Sequence, residues 1–448
     1  MSRFHFPHPL ALLFGCVLIA VALSYFLPAG EYARKDDPIT GRRIVVPGTY
    51  HRIPAAPVKP FDAFVAIPRG LADAGSVVFL VFLIGGAFTV VDQTGALRRG
   101  VDWLVRRLDR REAIAIPVCA IAFATAGALE NMQEEIIALI PVLLVLSQRL
   151  GFDPLTAVAM SLGAAMVGSS FSPINPFQVG IAQKLAGLPL LSGSLFRLAF
   201  LAPALAIWIW WTVRYARRIR SEKSAVDVNE TLAPFGPRQG IILLIVLGTF
   251  AVFIYGIMKL GWDFDQMSGL FFLMGIVVGL IGGMGIGGTA DAYVEGFKSM
   301  AGAAMLIGFA RAIYVVMDQG HIVDTIVHDL FTPLSNLPVA LSAFGMMLSH
   351  VAIHFPVPSV SGQAVLTIPI LVPLSDLLGM SRQVTVLAYQ YGAGLCEIVT
   401  PTNGALMAVL AAAGVRYESW MKFVLPLYVI LMALGLIAIL TAIVIGLH

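Results

Sequence analysis

QEEIIALIPVLLVLSQRLGFDPLTAVAMSLGAAMVGSSFSPINP, residues 133–176, and SGQAVLTIPILVPLSDLLGMSRQVTVLAYQYGAGLCEIVTPTNG, residues 361–404, are one unit written twice. They align without gaps at an offset of 228, with 11 identities in 44 positions. The matches include Ile140-Pro141 with Ile368-Pro369, and Pro173 and Asn175 with Pro401 and Asn403. Both copies are apolar and both are interrupted by polar turns rich in Pro and Asn. Inside a bilayer such an interruption leaves peptide groups that lipid cannot satisfy, so it survives only where protein buries it or where it lines a cavity. Paired interruptions in corresponding halves point to a secondary transporter with its site between them.

The composition agrees. Of 448 residues, 58% are hydrophobic and 12% charged, and the mean hydropathy is +0.87. Soluble domains carry about 25% charged residues, so this is an integral membrane protein. The formal charge of +3 says little about partners. Cys16, Cys119 and Cys396 lie in apolar segments and read as small buried hydrophobes, too few for a disulfide framework. The first 27 residues have a basic start and an apolar core. No small-residue cleavage site follows, and 10–27 is long enough to span, so a retained helix is expected rather than a cleaved signal.

Apolar runs predict spans at 10–27, 75–92, 194–216, 240–258, 267–288, 300–317 and 419–446, with interrupted spans at 154–187 and 382–413. Segments 113–149 and 337–376 are apolar but broken centrally, and read as re-entrant hairpins. Amphipathic pieces fall at 61–73, 97–111, 291–299 and 321–332. The duplication extends outward: DAFVAIPRGLADA at 62–74 matches DAYVEGFKSMAGA at 291–303. The expected organisation is a first half (1–217), a linker (218–238) and a second half (239–448), an all-α polytopic membrane protein of two inverted-topology repeats. The arm at 97–111 carries Arg98, Arg99, Arg106, Arg107, Arg110 and Arg111, whereas its counterpart at 319–332 has no Lys or Arg. Cytoplasmic loops collect Lys and Arg. The arms are therefore expected on opposite sides, with the amino terminus and linker cytoplasmic and the carboxyl terminus outside. The loop 28–60 argues the other way with six basic residues, balanced in part by Glu31, Asp36 and Asp37.

The first hairpin turns through Asn131, Gln133, Glu134 and Glu135. Carboxylates within a membrane are costly unless paired, protonated or wet, so Glu134 and Glu135 are candidate ligands for a cation or amino group; a solvated surface turn is the alternative. The second hairpin turns through Ser359, Ser361 and Gln363, whose hydroxyl and amide groups can hold a solute or Na⁺. The interrupted spans contribute Ser172 and Asn175, and Glu397, Thr400, Thr402 and Asn403. Each new half-helix starts with N–H groups that favour an anion such as a carboxylate. Each preceding half-helix ends in bare carbonyls suited to a cation. Na⁺ is conceivable near Ser169, Ser170 and Thr400. Arg311 needs either an acidic partner or an anionic ligand. Asp92 and Asp318 read as helix-end residues, and His350 and His354 as packing histidines or proton carriers. No Walker motif and no metal-ligand or nucleophile constellation is present, which argues against an ATP-driven pump or an enzyme.

These residues resemble the YfcC/DcuC-type family of the ion-transporter superfamily. The resemblance is carried by Met132-Gln133-Glu134-Glu135, Ser172–Phe177, Leu191–Ser194, Ser361–Ala364, Arg382–Leu387 and Thr400–Asn403. It implies a scaffold and a transport domain moving as an elevator, usually in a homodimer of a bacterial-type inner membrane. It implies secondary transport of C4-dicarboxylates or exchange of arginine and ornithine. This chain has Ala393 where the family often has an acid, and Glu397 where it usually has His or Asn, so an acid has moved by one helical turn. The expected partners are a small solute and membrane lipid, not nucleic acid. No cofactor is expected beyond a coupling ion, Na⁺ or H⁺. Glutamates outnumber Arg311, so a cationic or zwitterionic amino acid is the first expectation; a dicarboxylate carried with Na⁺ or H⁺ is the second, and a channel or sensor a distant third.

Overall fold

A computed structural model describes residues 9–36, 43–96, 99, 112–219, 236–260, 262 and 264–447. The arginine-rich arm and most of the linker lie outside them. The chain is mostly helical. The leading helix α1 (Pro9–Phe26) is followed by four short strands: β1 (Gly30–Glu31), β2 (Arg34–Asp36), β3 (Arg43–Val45) and β4 (His51–Arg52). β1 pairs with β4 and β2 with β3, both antiparallel. The fold is therefore not purely α: this loop is too polar for a helix, and its backbone finds partners in two small ribbons instead.

The first half continues with α2 (Asp62–Asp73), α3 (Gly75–Gln93), α4 (Glu112–Glu130), α5 (Glu134–Arg149), α6 (Pro154–Ser170), α7 (176–185) and α8 (Ser194–Ile219). The second holds α9 (Pro237–Leu260), α10 (Phe264–Gly282), α11 (Gly285–Gln319), α12 (Val323–Phe331), α13 (Val339–His354), α14 (Val360–Leu377), α15 (Arg382–Cys396), α16 (Gly404–Ala412) and α17 (Tyr417–Val444). The amphipathic stretch 291–299 and the span at 300–317 merge into the single 35-residue helix α11: no Pro interrupts the join, and Gly296 and Gly302 beside it are helical. Among the described residues six helices are long and apolar enough to cross a membrane: α3, α8, α10, α11, α14 and α17. α14, read from sequence as one arm of a hairpin, is by length and composition among them.

The two expected interruptions occur where Pro and Asn fall, at 171–175 and 397–403. Their peptide groups are provided for. Asn175 and Asn403 cap the helices that restart: Asn175 Oδ1 accepts from the Phe177 and Gln178 N–H groups at 2.9 Å, and Asn403 Oδ1 from Leu406 N–H at 3.0 Å. The carbonyls are provided for as well. Gln390 Nε2 donates to Ser172 O at 2.8 Å, Trp420 Nε1 to Ile398 O at 2.9 Å and Tyr417 Oη to Val399 O at 2.6 Å. The expectation of bare carbonyls at both breaks is thus corrected at these three positions. A π-turn at Ala159–Gly163 widens α6 where Trp208 Nε1 takes the Ala159 carbonyl at 2.9 Å.

Helix pairs meet through small residues, the usual means where lipid gives no hydrophobic drive to association. A Cβ at Gly127 of α4 would sit 2.1 Å from Ala165 O of α6, and one at Gly168 would sit 2.0 Å from Ala124 O. In the second half a Cβ at Gly392 of α15 would sit 2.4 Å from Met347 O of α13. The ribbons are stapled to α12: Tyr32 N–H and Arg34 Nη2 donate to the two oxygens of Asp324 at 2.9 and 2.8 Å. Burial, and then the Asp324 carboxylate, raises the Tyr32 phenol above its usual range, and its hydroxyl hydrogen-bonds His328 Nδ1 at 3.2 Å.

Candidate functional site

α4 ends at Asn131, whose φ of 55° is the left-handed geometry that Asn tolerates at a helix end. Met132 and Gln133 follow, and α5 restarts with Glu134 and Glu135 in its first turn, where the helix dipole favours acids. Glu135 Oε2 accepts from Gln133 N–H at 3.1 Å. Gln133 is 3% exposed and reaches across 264 residues: its Nε2 donates to Glu397 Oε2 at 2.5 Å, and its Oε1 accepts from Asn403 Nδ2 at 3.3 Å. One side chain therefore joins the first hairpin's turn to the second break.

Around that junction lies a cavity of about 750 Å³, within the range of small-molecule sites. Asn131, Glu134, Glu135, Arg311, Ser359, Ser361, Glu397, Thr402 and Asn403 line it, all expected from sequence. Ser359 also caps α14, its Oγ accepting from Gly362 N–H at 3.2 Å. The Thr402 hydroxyl is buried without a hydrogen-bond partner among the described residues. The N–H groups of Gly404 and Ala405, which open α16 onto the cavity, meet no acceptor among the described residues. Five charged residues line the cavity: Asp73, Glu134, Glu135, Glu397 and Arg311. Arg311 is half-exposed, hydrogen-bonds Asp73, and stacks over the Tyr314 ring at 4.8 Å. Its acidic partner is thus an aspartate on α2 rather than a hairpin glutamate.

Four expected residues are turned elsewhere. Ser172 is fully buried; its Oγ donates to Ala128 O at 2.7 Å and accepts from Ile174 and Asn175 N–H. Asn175 spends its Nδ2 on Gly127 O at 2.9 Å. Both bind the first break to α4 rather than facing the cavity. Gln363 bridges two buried histidines, its Oε1 to His354 Nδ1 at 3.1 Å and its Nε2 to His350 Nδ1 at 3.0 Å, which fixes α13 to α14. Thr400 Oγ1 donates to Cys396 O at 2.7 Å. Ser169 and Ser170 likewise donate to Met166 O, within their own helix. The three hydroxyls suggested for Na⁺ are each committed to a local carbonyl.

Sequence reasoning missed Gln133 and Asp73 as site residues, and the apolar wall that Phe177, Phe253, Trp262 and Phe264 contribute. Gln133 stood in the right turn, but nothing in the sequence gives its partner 264 positions away. Gln178 was also missed; its Nε2 orients Asn131 Oδ1 at 3.1 Å.

The chain is 30% identical to the Escherichia coli protein named "Putative basic amino acid antiporter YfcC", across 100% of this chain and 98% of that one. It is 27% identical to a Haemophilus influenzae protein named "Uncharacterized protein", across 97% and 96%. Among solved structures, the Alcanivorax borkumensis YdaH transporter aligns over 98% of this chain and 99% of that one at 18% identity, with a TM-score of 0.46, below the level at which a shared fold follows. The family model described as "C4-dicarboxylate anaerobic carrier" matches residues 6–444, and on that match this multi-pass membrane protein belongs to the DcuC family of secondary transporters.

Proposed function

We propose that the protein moves a cationic or zwitterionic amino acid, as symporter or exchanger, and that the 750 Å³ cavity is its site. The carrying observation is the charge of the lining: three glutamates and Asp73 against a single arginine that Asp73 already engages. Two like charges ~4 Å apart at an effective dielectric constant near 20 repel by about 4 kcal/mol. A dianion is therefore disfavoured, and an ammonium or guanidinium group is favoured beside Glu134, Glu135 and Glu397. The solute's carboxylate has its own seat at the Gly404 and Ala405 N–H groups and the Thr402 hydroxyl, where a helix start attracts anions. The name carried by the Escherichia coli relative, a basic amino acid antiporter, agrees with this reading.

The mechanism we infer is alternating access of the elevator type. The duplicated hairpins and breaks form a transport unit that slides with the cavity between the two faces, its amino terminus cytoplasmic. Support comes from the internal duplication and from the Gln133–Glu397–Asn403 junction, which joins the two copies at the cavity.

A second reading rests on the family description, which names C4-dicarboxylates. It requires Na⁺ or protons to neutralise the glutamates when the cargo binds. Uptake into proteoliposomes of labelled arginine, ornithine, succinate and acetate, with and without Na⁺ and pH gradients, separates the two. Arginine or ornithine uptake is expected; succinate uptake without either overturns the amino-acid reading.

A further inference from the structure

Beside the first cavity lies a second, of about 500 Å³, that the assignment above does not use. Its walls are the β-ribbons, the end of α11 with the turn after it, and the start of α14. Arg311, Ser359 and Ser361 line both chambers, so the Arg311–Asp73 pair and the second hairpin's turn form the partition between them. Within the second chamber charge is sorted. Asp324 is consumed by Arg34 and the Tyr32 N–H, and Arg311 by Asp73. The side chains of Arg43 and Asp318, both exposed, form no ion pair or hydrogen bond among the described residues. Glu31, the remaining carboxylate of the lining, lies 3.7 Å from His51 Nε2. The chamber thus offers one cation, Arg43, and one carboxylate, Asp318, that no charged or imidazole group engages among the described residues, beside a doorway to the deeper cavity.

We propose that this chamber is a loading site for the transported amino acid. Arg43 receives its carboxylate and Asp318 its ammonium group, and the Arg311–Asp73 pair must part for the solute to pass inward. The assignment rests on the amino-acid reading of the first cavity. It adds what that reading lacks, a route along which a zwitterion is held by both ends before it meets the glutamates. Exposed charges bind weakly and are screened by salt, which suits a site that must release its occupant to a deeper one. The ribbons, anchored to α12 through Asp324, hold Arg43 in place above the doorway.

The test is labelled uptake into proteoliposomes by Arg43→Gln and Asp318→Asn variants, with arginine and succinate as probes. Each substitution is expected to raise the arginine KM about two- to fivefold with kcat unchanged, the effect expected of one exposed ion pair. The difference should shrink between 50 and 500 mM NaCl. A second measurement is equilibrium binding of labelled arginine to Glu397→Gln protein, whose deeper site is disabled. Weak residual binding is expected, lost on adding Arg43→Gln. An unchanged KM in both variants for whichever probe is carried overturns the loading site. Opposite responses, with Asp318→Asn lowering KM, overturn its zwitterion specificity. Failure of the underlying function is read separately, from the wild type's choice between the two probes.

Discussion

The two breaks share a sequence pattern and differ in use. In the first, Ser172 and Asn175 turn their polar groups onto the backbone of α4 and of their own restarting helix, and both are fully buried away from the cavity. In the second, the Asn403 amide reaches Gln133, the Thr402 hydroxyl has no partner, and Glu397 stands where the first copy has Ser169. The same turn is a structural joint in one copy and part of the cavity lining in the other. A duplicated unit can diverge this way because each break needs its peptide groups satisfied, but only one set of side chains needs to face the cargo.

The largest effect should fall on the second break alone. Glu397→Gln removes a charge-assisted partner worth roughly 1.5–3 kcal/mol, so arginine kcat/KM should fall by about 10–100-fold. Its counterpart Ser169→Ala should leave uptake unchanged. Equal losses from both, measured in the same proteoliposomes, would break the distinction. Next comes Asn175→Ala, which strips the one acceptor of two N–H groups and the donor to Gly127 O. A loss of about 1–2 kcal/mol of stability is expected, read as a lower melting temperature in detergent, with arginine affinity per folded molecule preserved. Asn403→Ala should do the reverse, costing affinity more than melting temperature. Ser172→Ala is predicted to cost about 1 kcal/mol of stability and nothing in KM. Smallest is Thr402→Val, which deletes an unpartnered buried hydroxyl. Stability should hold or rise slightly, while arginine KM rises about threefold if the hydroxyl meets the solute carboxylate. A KM unchanged to within error removes Thr402 from the site.

Much of this was legible in one dimension because breaks and turns are written in local chemistry. Pro alone does not end a helix here, since Pro117, Pro141, Pro203 and Pro426 lie inside continuous ones, but Pro beside Asn and hydroxyl residues marked the pauses after Ser170 and Cys396, and Asn the turn at 131. What a polar side chain does once placed depends on a partner far away in sequence. Asn175 and Asn403 read alike, and only the approach of α4 to one and Gln133 to the other separates them. Asp73 sat at the end of an amphipathic stretch, with no sign that α11 would bring Arg311 against it. The ribbons were missed for a different reason: strands of two or three residues are too short for alternation to show.

Gln133 finds its partners 264 and 270 residues downstream. During synthesis, then, the first hairpin waits in the bilayer with the donor and the acceptor of the Gln133 amide unmatched until Glu397 and Asn403 emerge. The cavity is among the last features to exist. A chain that stalls or is cut before Glu397 should therefore present a polar lesion within the membrane, a conspicuous mark for surveillance proteases, rather than a working half-transporter.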